Sequence, residues 1–269
     1  MIDIIVPIKQ VPDMERVKFD TEAGRIDRSS AAGEINPFDL NALEAAVQLK
    51  EKLGGTVTTI SMGPPQAESS VRDSLARGAD RGILLVGKEF AGADTWATSY
   101  ALASGIKKLG KYDLIVCGEK TVDGDTGQVG PEIAEWLAIP HIAYVSQIRE
   151  ASDSGITVLA EMESERLVIE SPLPTLLTVT KDINTPRLPS FADKMKARKA
   201  AIETWGAAEL ADVAELTNFG LKGSPTRLNK VVIPSEEGRK GQVFRGSPDD
   251  SAVKVADALQ ALGMLGSAK

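Results

Sequence analysis

The sequence predicts an α/β fold: a parallel sheet with helices on both faces, followed by an extended C-terminal arm. Three observations carry this. Four strand-then-helix units follow one another in the first half of the 269 residues, the alternation that builds parallel sheets through crossover helices. The strand segments are near-continuous apolar runs, such as Ile2–Ile8 and Leu114-Ile115-Val116-Cys117, which is how a strand buried on both faces reads. Beyond Trp205 core-forming residues become sparse, so the end of the chain is expected to bury little by itself.

Each element has a local reason. The first strand leaves through Lys9-Gln10-Val11-Pro12-Asp13, and Val17–Asp20 with Gly24–Asp27 reads as a short hairpin. Asn36-Pro37 has the N-cap residue and the first-turn proline of a helix whose apolar face is Leu40, Leu43, Ala46 and Val47 and which stops at Gly54-Gly55. Thr56–Ser61 is the second strand, ending in Met62-Gly63-Pro64-Pro65, where a proline-started helix runs to Arg77. Arg81–Val86 is the third strand, and Gly92-Ala93-Asp94-Thr95 caps a helix reaching Leu109. The fourth unit is Asp113–Gly118 with a helix through Ile133, Ala134 and Leu137. After Pro140 the pattern changes to strands at Ile142–Ile148, Gly155–Met162, Arg166–Glu170 and Thr175–Val179, with a tight corner at Pro172-Leu173-Pro174. In the last third, Ala207–Ala211 reads as a short helix, Val231–Ile233 as a strand and Ser251–Leu262 as an amphipathic helix. Val231, Val232, Ile233, Val243 and Phe244 favour a tail folded against a partner. The domains expected are residues 1–200, binding a nucleotide, and residues 201–269, the arm.

Composition excludes several functions. A net charge of −7 argues against a nucleic-acid binder that relies on phosphate contacts. No apolar run approaches the ~20 residues of a membrane span, and Met1-Ile2-Asp3 enters a strand directly, so a cytoplasmic protein is expected. The single cysteine, Cys117, and the single histidine, His141, rule out an internal disulfide and a Cys or His metal cluster; both residues read as packing. With so little catalytic equipment, any difficult chemistry falls to a bound cofactor.

The loop Thr121–Pro131 is the centre of the functional reading. Strand, tight polar turn and helix start together make an anion site, because unpaired N–H groups and the positive helix end face outward. Gly124 is expected to take positive φ, and Gly127 to let a ligand approach the backbone. Asp125 has capping-box spacing to Gln128, which would turn it away from a phosphate. An ordinary polar turn is the alternative. In parallel sheets, ligands lie beyond the carboxyl ends of the strands. The loops Pro7–Asp13, Met62–Pro64, Gly87–Asp94 and Gly118–Gly130 should therefore meet at one edge. Residues 184–199 hold Lys194, Lys196, Arg198 and Lys199 around Phe191 and Met195; a solvated helix face and a docking patch both explain them.

With these residues in hand, the chain resembles the beta subunits of electron transfer flavoproteins. The motifs are Val6–Asp13, Asn36–Asp39, Ser61–Pro65, Gly78–Asp80, Asp123–Pro131 and Met195–Lys199. The resemblance implies an adenine-nucleotide-hydrolase-like, Rossmann-like fold and a heterodimer with an alpha subunit that the C-terminal arm wraps. It implies nucleotide contacts from Pro7, Asn36, Pro37, Phe38, Asp39, Met62, Val122, Asp123, Gly124, Asp125, Thr126, Gly127, Gln128, Val129, Gly130 and Pro131. It implies partner docking through Phe191, Met195 and Lys196 in the loop 189–199, with Phe191 where a leucine is usual, and through Glu161. Val11-Pro12-Asp13 and Asp123–Thr126 resemble the electron-bifurcating type. There the nucleotide is FAD, NADH is the substrate, and electrons go to ferredoxin and to an acyl-CoA or hydroxy-acid dehydrogenase. Gly127 stands where alanine is expected. A subunit holding structural AMP is the first alternative. The second is an ATP-binding or ATP-hydrolysing domain that holds magnesium on Asp123 and Asp125.

Overall fold

The computed structural model describes residues 1–13, 18–20, 25–27, 33–227 and 241–265. In chain order, β1 (Ile2–Pro7) is followed by the short strands β2 (Gln10–Pro12), β3 (Lys18–Asp20), β4 (Arg25–Asp27) and β5 (Gly33–Ile35), then α1 (Pro37–Leu53). Next come β6 (Gly55–Met62), α2 (Glu68–Ala76), β7 (Arg81–Leu85), α3 (Thr95–Leu109), β8 (Leu114–Gly118) and α4 (Val129–Leu137). The later elements are β9 (His141–Ala151), β10 (Gly155–Glu161), β11 (Arg166–Pro172), β12 (Thr175–Val179), α5 (Phe191–Lys199), β13 (Glu203–Trp205), α6 (Gly220–Gly223) and α7 (Pro248–Ala261). The expected hairpin is the antiparallel pair β3–β4, although Val17 and Gly24 lie outside the described residues.

The main sheet has the order β11-β10-β9-β12-β8-β1-β6-β7-β13. From β9 across to β13 every neighbouring pair is parallel. The other edge, after Pro140, adds an antiparallel part to the expected parallel sheet: β10 is antiparallel to both β9 and β11. Short turns join these three strands, and only antiparallel strands can be joined that way. The corner at Pro172-Leu173-Pro174 contains a cis peptide bond before Pro174.

Alternation along each strand sorts side chains into two apolar layers. Ile4 and Val6 of β1, Val116 of β8 and Leu177 of β12 join Leu43, Ala46 and Val47 of α1 and Val71 of α2 on one face. Ile5, Ile115, Cys117 and Leu176 join Ala101 and Ile106 of α3 and Ile133 of α4 on the other. Gly105 of α3 lies so close to the sheet that a Cβ would sit 2.6 Å from Ile60 Cδ1.

The expectation that little is buried beyond Trp205 does not hold for residues up to 227. β13 adds a parallel strand beside β7, and Ala207, Leu210 and Phe219 are buried in the α3–α4 layer. Phe219 packs on Phe90 with ring centroids 5.0 Å apart. One compact unit therefore runs from Met1 to Lys230, past residue 200, and Val231–Lys269 forms a second. The expected helix at Ala207–Ala211 is a single 3₁₀ turn, Ala208–Leu210, and the expected strand Val231–Ile233 lies outside the described residues. In the second unit α7 is capped by Ser247, whose hydroxyl accepts from the Asp250 N–H at 3.2 Å, and Val253 and Val255 on it are exposed.

Candidate functional site

The tips of β1, β6, β8 and β12 reach one edge in register, with Pro7 opposite Ile60 and Val179 opposite Gly118. One side-chain pair joins two of the expected loops there: Lys9 Nζ of the first reaches Asp123 Oδ1 of the fourth at 2.7 Å. The first loop is also tied to the helix that follows the second, where Gln10 Nε2 donates to the carbonyl of Gln66 and to Ser69 and Ser70 at 2.9–3.1 Å. The fourth is tied to the first residue of α3, where Thr95 Oγ1 donates to Gln128 Oε1 at 3.0 Å.

Asn36 sits at the N-cap position of α1, as the sequence suggests, but its side chain makes no capping bond. It bridges to the fourth loop instead. Its Nδ2 donates to the Lys120 carbonyl at 2.9 Å, and its Oδ1 accepts from the Val122 N–H at 3.1 Å. The side chain thus supplies partners to backbone groups of a loop distant in sequence. Two residues past Pro37, Phe38 and Asp39 complete the first turn, and Asp39 Oδ2 accepts from the Lys9 N–H at 2.8 Å. Burial raises the Asp39 carboxyl from its ordinary 3.8 to about 7, against the hydrogen bonds from Asn36, Lys9 and Gly118 and the charge of Lys9, which lower it. A Cβ at Gly118 would lie 2.5 Å from Asp39 Oδ1 and 2.7 Å from Phe38 Cβ, so only glycine fits where β8 meets α1.

The fourth loop corrects two expectations. Positive φ falls on Asp125 and Gly127, at 53° and 64°, and not on Gly124. Asp125 does not cap α4. The N-cap is Gln128, without a side-chain capping bond, and Asp125 Oδ1 pairs with Lys120 at 2.9 Å. The Asp125 N–H closes the turn onto the Thr121 carbonyl at 2.8 Å, which directs the chain away from capping geometry. Each aspartate of the loop therefore has its own lysine. The Lys120 ammonium, whose pKa is raised by Asp125, also stands 5.8 Å from the centre of the Phe38 ring.

The N–H groups of Thr126, Gly127 and Gln128 donate to no group among the described residues, and those of Val129 and Gly130 belong to the first helical turn, which has no partner within the helix. Pro131, with no N–H, sits in that turn. The cradle thus offers free donors, the positive end of α4 and aspartates already neutralised by Lys9 and Lys120, and it fits a phosphate or pyrophosphate. Two further hydroxyls near the strand tips, Ser61 Oγ and Thr180 Oγ1, are buried with no partner. Met62 ends β6 and packs with the α3–α4 layer, making no bond to the fourth loop.

Burial pushes the Cys117 thiol far up, helped by the Asp39 charge, and burial lowers the His141 imidazole. No group of three or more metal-ligating side chains gathers among the described residues, and no helix among them is long and apolar enough to cross a membrane. The docking candidates fall in two places. Phe191, Met195 and Lys196 are exposed on α5, with Phe191 at 81%. Glu161 ends β10 and pairs with Arg166 at 3.2 Å. Sequence reasoning missed Lys9 and Lys120 as members of the site. Their positions next to two strand tips were the available signal; their pairing across the sheet edge was not.

A sheet whose strand tips close around an open helix start defines an α/β protein of the Rossmann-like class. Comparison with known proteins makes this particular. The family model described as "Electron transfer flavoprotein domain" matches residues 23–210, and the chain belongs to the electron transfer flavoprotein family, among its beta subunits. It is 44% identical to the electron transfer flavoprotein subunit beta of Clostridium acetobutylicum over 259 residues, covering 96% of this chain and 98% of that one. It is 42% identical to the subunit beta of Thermoanaerobacterium thermosaccharolyticum, with the same coverage. Its identity to the caffeyl-CoA reductase-Etf complex subunit CarD of Acetobacterium woodii is 42% over 245 residues, covering 91% of this chain and 92% of that one.

Proposed function

We propose that this beta subunit pairs with an alpha subunit, holds FAD in the strand-tip cradle, and serves electron bifurcation from NADH. One electron of each pair is destined for ferredoxin, the other for the alpha-subunit flavin and a dehydrogenase of the acyl-CoA or hydroxy-acid type. The observation that carries the reading is the open helix start at residues 126–130 beside two lysine-neutralised aspartates, in a chain of this family. A bound flavin supplies hydride acceptance and single-electron release, which no side chain here offers. The chain's own residues hold and orient. Backbone N–H groups of Thr126–Gly130 would hold the pyrophosphate, Asn36 and Asp39 tie the fourth and first loops to α1, and Phe38 would stand as an apolar wall. Neither Asp123 nor Asp125 is open for magnesium in the manner an ATP-hydrolysing site needs, since Lys9 and Lys120 hold them. The match to a reductase-Etf complex subunit supports bifurcation over structural AMP, as do Val11-Pro12-Asp13 and Asp123–Thr126. The C-terminal unit, with α7 exposed, is the part proposed to wrap the alpha subunit.

Anaerobic titration of the heterodimer with NADH, followed at the visible flavin absorbance, tests the proposal. Bleaching is expected at stoichiometric NADH in the absence of any dehydrogenase. No bleaching by NADH, with full bleaching by a reduced acyl-CoA dehydrogenase, would overturn it in favour of the AMP-holding reading.

A further inference from the structure

Residues 184–190 form neither helix nor strand, yet polar side chains bind them along α1. Asn41 Nδ2 donates to the Asn184 carbonyl at 2.9 Å, and Asn184 Nδ2 donates to the Asn41 carbonyl at 3.0 Å. About one helical turn on, Arg187 forks between two carboxylates. Its Nε and Nη2 donate to both oxygens of Glu44 at 2.7 and 3.1 Å, while Nη1 and Nη2 donate to Glu51 at 2.6 and 3.1 Å. The Arg187 carbonyl accepts from Arg77 Nη1 of α2 at 2.8 Å. At the far end of α5, Arg72 of α2 donates to the carbonyls of Ala197 and Ala200 at 2.7 and 3.0 Å.

These tethers matter because α5 has little else to hold it. Its one buried residue is Ala197, and a nine-residue helix is marginal on its own. Apolar burial therefore cannot set its orientation. Leu188, next to Arg187, and Phe191 are 87% and 81% exposed. We infer that Arg187 is a positioning residue for partner docking: its guanidinium, forked between Glu44 and Glu51 of α1, fixes the segment that carries Leu188 and the angle at which α5 presents Phe191. A preformed docking helix avoids an ordering cost on association. Lysine cannot replace the fork, because an ammonium does not pair bidentately with two carboxylates. The inference rests on the reading of α5 as the docking element.

Amide hydrogen exchange of the heterodimer carrying Arg187→Met or Arg187→Lys tests it. In R187M, amides of residues 188–199 should exchange roughly tenfold faster or more, while α1 and β8 keep the wild-type rate. In R187K, less than half of the lost protection should return. Unchanged exchange at 188–199, or recovery of more than half by lysine, would overturn the inference. So would equal acceleration in α1 and β8, which would make Arg187 a general prop of the fold. Phe191→Ala separates this from the docking reading. If F191A leaves electron delivery to the dehydrogenase intact, docking through α5 fails, whatever the exchange result says about the tether.

Discussion

Two side chains carry the most informative chemistry of the cradle. Asp39 is buried and holds its proton to about pH 7. Its folded value lies above its ordinary 3.8, so the folded state binds the proton more tightly than the unfolded chain does. The stabilisation from this group is therefore full below about pH 4 and is lost as pH rises through about 7. Asp39→Asn should remove that dependence, which is on the order of 4 kcal/mol. Urea midpoints of wild type and variant, compared between pH 4 and 8, should converge in slope only for the variant. Lys120 is the second. Because it pairs with the exposed Asp125, Lys120→Met should leave stability almost unchanged. Leaving a carboxylate uncompensated beside the proposed phosphate should weaken nucleotide retention about tenfold, more at low salt than at high. Nucleotide remaining after dialysis at two salt concentrations checks both statements.

Among the elements, the contact between β8 and the first turn of α1 decides whether a cradle exists. Gly118→Ala places a methyl 2.5 Å from Asp39 Oδ1 and against the Phe38 backbone. That overpacking should cost roughly 1–3 kcal/mol and lower the thermal midpoint while reducing bound nucleotide. Much of this level was legible in the chain. The Asn36-Pro37 start, the Gly54-Gly55 stop and the Asp94 cap are local signals, and each appears where its residues place it. The misses are long-range. Asn36 has the residue type of a cap, yet spends its side chain on a loop 84–86 residues away. Asp125 has capping-box spacing, yet a left-handed backbone and Lys120 take it elsewhere. Spacing shows what a residue can do locally and is blind to a partner supplied by the fold. The antiparallel edge was missed for a similar reason: strand periodicity shows burial, whereas direction depends on turn length.

At the scale of the whole molecule, the two proposed sites draw on opposite parts of one helix. The first turn of α1 faces the cradle through Asn36 and Asp39, and its later turns carry Glu44 and Glu51, which hold Arg187 ahead of α5. The second unit, Val231–Lys269, adds an exposed helix whose occupant in the cell is proposed to be the alpha subunit. The thin apolar content beyond Trp205 hides the packing of residues up to 227 into the first unit, because Leu210 and Phe219 are isolated in sequence and buried in space. The central claim is that the cradle carries a redox nucleotide. Chromatographic quantification of the nucleotides released on denaturing the purified heterodimer tests this most directly. The account predicts two FAD per heterodimer and no AMP; one FAD with one AMP would contradict it.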